Sequence, residues 1–148
     1  MEIHHSIQIC QSRTKIFNFM SDMRNHPQEE DSKVLLVEKI TDGEIGLGTR
    51  FREVVQMFPL LNAKFINEIT QFKPDEQIEI TWHGSGMEGI LRFHFDHCQG
   101  GTLLRVEESI YLKGVMKWVA PMVEKNFRSM WNQRFQGIRQ AMSPGPEI

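Results

Sequence analysis

The sequence predicts an α+β domain in which a curved antiparallel sheet of about seven strands is covered by one long C-terminal helix, with two short helical segments after the first strand. Three observations carry this reading. Segments of strand-like pattern recur over 49–58, 61–72, 76–83, 87–97 and 102–111, several with the two-residue period of half-buried strands. Their connections, at Pro59, "KPDEQ", "GSG" and "CQGG", are too short for crossover helices, so the strands are expected to run antiparallel rather than in a doubly wound parallel sheet. From Val115 to Ala141 the apolar period changes to that of a helix.

Taken in order, the first element is a strand, because Ile3, His5, Ile7 and Ile9 share one side while His4, Ser6 and Gln8 share the other. Ser12 then suits a helix cap, and Ile16, Phe17, Phe19 and Met20 follow at helical spacing. The stretch "RNHPQEEDS" breaks that pattern with Pro27 and a local acidic cluster. "KVLLVEKI" reads as the second strand, too continuously apolar for its facing to be assigned. The glycines of "GEIGLGTRF" invite a phosphate-loop reading, but Phe51 stands where GxGxxG needs its third glycine and the GK[ST] ending is missing. They are better read as a tight turn that aims the following strand. In the last element Met116, Val119, Ala120, Val123, Phe127, Met130, Trp131, Ile138 and Ala141 share one broad side, and Pro121 either bends the helix or opens a new first turn.

Bulk properties narrow the function classes. A chain of 148 residues with 40% hydrophobic and 24% charged residues is the size and composition of one folded domain. We expect residues 1–142 to form it and the terminal "SPGPEI", 143–148, to be a loosely ordered tail. The net charge of -2 offers no bulk attraction for nucleic acid or anionic lipid, which leaves only a local basic patch. No apolar run reaches the roughly 20 residues of a membrane span, and "MEIHHSIQIC" lacks a secretory pattern, so a cytoplasmic protein without stable membrane insertion is expected. Cys10 and Cys98 form no CxxC pair and read as reduced, partly buried thiols.

The motifs "IFNFMSD", "GEIGLGTRF" and "WVAPMVEKNF", set in this order around a run of short antiparallel strands, resemble the helix-grip domain of the START-like superfamily. That group includes birch-pollen-allergen-like proteins and the bacterial polyketide cyclase/dehydrase and lipid-transport proteins. The resemblance covers nearly the whole chain. It implies a hydrophobic cavity between sheet and helix that holds lipids, sterols or aromatic compounds in some members and supports cyclisation or dehydration in others. Many relatives place a pocket-closing tryptophan after the "SD" segment; this chain reads "SDMRNHPQEED" instead.

Within such a cavity the alternating register points two carboxylates inward. Glu53 sits among Phe51, Val55 and Met57, and Glu108 among Leu104, Val106 and Ile110. A buried carboxylate must be paired, hydrogen-bonded, protonated or wetted, and Arg134, on the apolar side of the long helix, is the natural partner. The expected ligand site is therefore Glu53, Glu108 and Arg134 among Val55, Phe65, Trp82, Phe93, Val123 and Phe127. Its occupant would be a hydrophobic small molecule, lipid, aromatic or polyketide-like, bound without a cofactor. Two alternatives stay open. Glu53 and Glu108, with His5, are candidate acid and base groups of a cyclase or dehydratase; or the protein is a nonenzymatic interaction module, a homodimer for example, built on Trp118 and Met122, which lie off the buried stripe. No metal site is expected, since His94 and Asp96 of "HFDHC" face away from His97 on a strand. Ser85 in "GSG" lacks a nucleophile-elbow context.

Overall fold

A computed structural model describes residues 1–28 and 33–142. The terminal segment 143–148 and the acidic residues Glu29, Glu30 and Asp31 lie outside the described residues, so the expected tail is not addressed. Strand β1 (Glu2–Ile9) leads into helix α1 (Arg13–Ser21), whose first turn is capped by the Ser12 hydroxyl accepting from the Lys15 amide at 3.2 Å. A 3-10 helix (Met23–Gln28) follows, the second of the two short helical segments. Then come β2 (Val34–Lys39), β3 (Arg50–Phe58), β4 (Leu61–Lys73), β5 (Gln77–Gly84), β6 (Met87–Cys98) and β7 (Gly101–Leu112). The chain closes with a 3-10 helix (Gly114–Val119) and helix α2 (Ala120–Met142).

The strands form one seven-stranded antiparallel sheet in the order β1-β7-β6-β5-β4-β3-β2. Every connection from β2 to β7 joins spatial neighbours, as the short connections require, and only β1 reaches its partner β7 across the chain's length. Irregularities between Val34 and Leu36, Gln56 and Phe58, and Ile69 and Gln71 interrupt the pairing of β2, β3 and β4. Each such break adds bend and twist, which is how a flat ladder becomes a sheet able to wrap a helix. The glycine stretch before β3 is a turn: Gly48 has φ of +87° and its amide donates to the Ile69 carbonyl at 2.8 Å, seating the turn on β4.

The inward face is the one read from alternation. Phe51, Val55, Ile78, Ile80, Trp82, Leu91, Phe93, Phe95, Leu104, Val106 and Ile110 are all buried. Helix α2 covers them with Val123, Phe127, Trp131, Arg134 and Ile138, a stripe at spacings of three and four residues. The helix departs from the simple sequence reading at both ends. Residues 114–119 wind as a 3-10 helix and α2 starts at Ala120, so Pro121 occupies a first turn, where its missing amide hydrogen costs no helical bond. At the far end Ala141 is exposed and Met142 is buried instead, because the helical phase carries Ala141 off the stripe. Hydrogen bonds near both ends tie α2 down: Asn126 Nδ2 donates to the Met57 carbonyl and Gln11 Nε2 to the Met142 carbonyl, each at 2.8 Å. Both cysteines are free thiols, and Cys10 is exposed rather than partly buried.

Candidate functional site

The same alternation that builds the core places two carboxylates inside it. On β3, Glu53 falls between inward Phe51 and Val55; on β7, Glu108 falls between Val106 and Ile110; all are buried. On α2, Trp131 and Arg134 follow Phe127 on one face and are buried too. The four polar side chains thus converge from three elements. Trp131 Nε1 donates to Glu108 Oε1 at 2.8 Å, and the Arg134 guanidinium lies over the Trp131 ring, 5.0 Å from its centroid. Arg134 Nη2 stands 3.7 Å from Glu53 Oε2, close enough for strong attraction but too far for a hydrogen bond.

Burial dominates the electrostatics. It pushes the Glu53 carboxyl above its ordinary range, with Arg134 pulling the other way. It also pushes Glu108 up to about 7, against the Trp131 hydrogen bond and the Arg134 charge, while the Glu53 charge raises it further. Trp82 Nε1 lies near enough to Glu108 to favour its ionised form slightly, without closing a well-formed hydrogen bond. Glu108 therefore exchanges its proton near neutral pH.

Between these groups lies a void of about 30 Å³, room for a water or two. Glu53, Asn67, Trp82, Glu108, Phe127 and Arg134 line it, together with Met23, Met57 and Met130. Five buried polar atoms in this lining have no hydrogen-bond partner among the described residues: Glu53 Oε2, Asn67 Nδ2, Trp82 Nε1, and Nε and Nη2 of Arg134. Aromatic rings form the apolar wall. Trp82 stacks on Phe127 with centroids 5.8 Å apart and meets Phe65 edge-on at 5.3 Å. The indole is held in place by Gly89, its cross-strand partner, where a Cβ would come within 2.5 Å of the ring.

Of the residues expected at the site, Glu53, Val55, Phe65, Trp82, Glu108, Phe127 and Arg134 border the void. Phe93 and Val123 are buried but do not reach it; Phe93 packs edge-on against Trp131 at 5.9 Å. His5 is also apart, half-buried against the Phe135 ring at 5.5 Å, with burial and Arg128 lowering its pKa. Besides Met57, Leu91 and Met130 in the apolar lining, Asn67, Trp131 and Met23 contribute to the site without being among the site residues expected from sequence. Asn67 follows Phe65 by two positions, so strand alternation alone carries it to the same face. Trp131 stands on the helical stripe, where periodicity reads it only as packing. Met23 comes directly after the "SD" segment, and it lines the void at the place where the resemblance puts a pocket-closing tryptophan. Among the described residues no group of three or more histidine, cysteine or acidic side chains is placed to hold a metal ion. Asp96 instead pairs with Arg105, and His94 Nε2 lies 3.6 Å from Glu107 Oε2.

A curved antiparallel sheet gripping a long C-terminal helix, with two short helical segments after β1, is the helix-grip fold. Solved structures with this arrangement share it over almost their whole length. The Thermus thermophilus protein TTHA0849 has a TM-score of 0.80 at 14% identity, covering 97% of this chain and 100% of its own. A START superfamily protein from Mycobacterium smegmatis has a TM-score of 0.76 at 18% identity, covering 95% and 96%. Ara h 8.0201 has a TM-score of 0.72 at 13% identity, covering 96% and 97%. No protein-family model and no curated protein matches the sequence. At these identities the likeness is one of fold.

Proposed function

We propose that the protein binds a flat, mostly apolar small molecule bearing one or two oxygen atoms, in the space between the sheet and α2. The observation that carries this reading is the convergence of five buried polar atoms without a hydrogen bond among the described residues, four of them donors, on one void walled by stacked aromatic rings. Orphaned buried donors are costly, on the order of 1–3 kcal/mol each, and an acceptor oxygen of a ligand relieves that cost. With Glu53 and Glu108 already sharing the site, a neutral hydroxyl or carbonyl group fits better than a second fixed anion. The void of about 30 Å³ is smaller than such a molecule, so binding requires the wall to repack. Met23, Met57 and Met130 supply that freedom, since methionine changes shape at little cost.

A second reading is favoured by one observation. Glu108, titrating at about 7 beside Glu53, has the pKa of a group that gives and takes a proton at neutral pH. In a bound carbonyl compound it would serve dehydration or cyclisation, with Glu53 as its partner and His5 too far from the void to share the step.

Titration with 1-naphthol and with naphthalene, followed by quenching of tryptophan fluorescence, tests the binding reading. The naphthol is expected to bind at least about ten-fold more tightly, and the Asn67→Ala and Arg134→Met variants to erase that margin. Equal affinity for the two compounds, or no quenching by either, would overturn it.

A further inference from the structure

The antiparallel order places the N-terminal ends of β2, β4 and β6 and the C-terminal ends of β3, β5 and β7 along one edge of the sheet. The β3–β4 turn, the β5–β6 turn and the start of α2 all lie at that edge. Contacts hold them together: Ser85 Oγ accepts from the Lys64 amide at 3.0 Å, the Lys113 amide donates to the Gly86 carbonyl at 2.9 Å, and Asn126 reaches the Met57 carbonyl. This end is unusually apolar for a surface. Leu60 is fully exposed, Trp118 is 87% exposed and Val115 79% exposed, and Leu61 and Met122 are more than half exposed. Val115, Trp118 and Met122 follow one another at spacings of three and four residues, along one side of the helical segment.

This end carries charge of both signs, including Glu2, which accepts from the Ser109 hydroxyl at 2.9 Å beside the last part of β7. Among its described residues, Glu88 is paired with Lys113 and Glu124 with Arg128. Exposed Lys64, Lys117 and Lys125 remain uncompensated around the apolar side chains, on a chain whose net charge is -2. Tryptophan and leucine tips ringed by lysines match the interface of an anionic bilayer, where apolar groups enter the headgroup boundary and lysines meet lipid phosphates. A surface groove of about 230 Å³ opens beside the same end, lined by Gln56, Pro59, Asn126, Ser129 and Gln133. Met57 and Met130 line both this groove and the void among the polar side chains, so the two spaces share a wall of flexible side chains here.

We infer that this end of the molecule docks reversibly on anionic lipid surfaces, with Leu60, Val115 and Trp118 inserting among the headgroups and Lys64, Lys117 and Lys125 supplying the electrostatic attraction. The inference does not rest on the cavity ligand, since the docking side chains all point outward. Docking brings the groove guarded by Met57 and Met130 to the membrane side, where apolar compounds accumulate.

Cosedimentation of the full chain with vesicles of phosphatidylcholine alone, and of equal parts phosphatidylcholine and phosphatidylglycerol, provides the test. Partition is expected only onto the mixed vesicles, weakening steeply with salt, with a blue shift of Trp118 emission against the constant background of buried Trp82 and Trp131. The exposed pair Lys117→Gln and Lys125→Gln should each reduce partition on the order of five-fold, and Trp118→Ser by about ten-fold or more. All three sites are exposed, and unchanged circular dichroism would establish that the variants fold. Failure of the wild-type chain to partition onto mixed vesicles would overturn the inference, as would partition untouched by these substitutions. So would a concentration-dependent dimer that buries Trp118 without vesicle binding, because the apolar end would then be covered by a second copy.

Discussion

Glu108 shows how a single side chain can link folding to pH. Its carboxyl is raised to about 7 in the folded protein from an ordinary value of 4.5. Between those values the folded state holds a proton that the unfolded chain has released, so the stability gained from this group is complete below about pH 4.5 and is lost as pH rises through about 7. A shift of this size corresponds to on the order of 3 kcal/mol, and Glu53, raised for the same reason, acts in the same direction. Urea denaturation at pH 5 and pH 8 should therefore find the protein less stable at pH 8. The Glu108→Gln variant should lose most of that difference, since a neutral amide keeps the shape of the protonated acid and has nothing to titrate. A wild-type stability that rises between pH 5 and pH 8 would mean that Glu108 is ionised and well solvated in its pocket.

At the scale of elements, the site depends on small residues placed opposite large ones. Trp82 on β5 faces Gly89 on β6, and the indole occupies the volume a side chain there would take. A Cβ at position 89 would also stand 2.4 Å from the Ser109 carbonyl on β7, so the pressure would fall on two strand pairs at once. Gly89→Ala is expected to cost about 2–3 kcal/mol, in the range of overpacked cores, and to displace Trp82 toward Phe127. A lowered urea midpoint with an altered near-UV circular dichroism spectrum would report both effects. Helix α2 is placed by comparable local rules. Pro121 fits only in a first turn, so the 3-10 segment before it is free to turn Val115 and Trp118 outward while Val123 and Phe127 turn in.

For the molecule as a whole, sheet and helix have one core between them. Trp131 on α2 is fully buried against Phe93 on β6 and bonded to Glu108 on β7, so the helix cannot leave without exposing the sheet's concave face and stranding a carboxylate. Unfolding should accordingly be a single cooperative transition, with tryptophan fluorescence and far-UV circular dichroism following the same curve in urea. Separate curves would indicate that α2 detaches while the sheet persists.

Much of this was already legible in the residues. The two-residue period located five consecutive strands to within a residue or two and put Glu53 and Glu108 on the inward face, because pleat geometry is local and a buried face leaves its mark at every second position. The helical period likewise put Arg134 beside Phe127 and Ile138. Which groups meet was decided only in three dimensions. Glu108 and Trp131 are neighbours because β7 passes beneath α2, while His5, equally inward by period, ends against Phe135, away from the void. Periodicity gives a side chain its direction but no depth, since depth depends on sheet curvature and on the height at which the helix crosses. The size of the void is of the same kind: it is the small remainder left when large side chains from several strands and a helix pack together, and no single segment contains that difference.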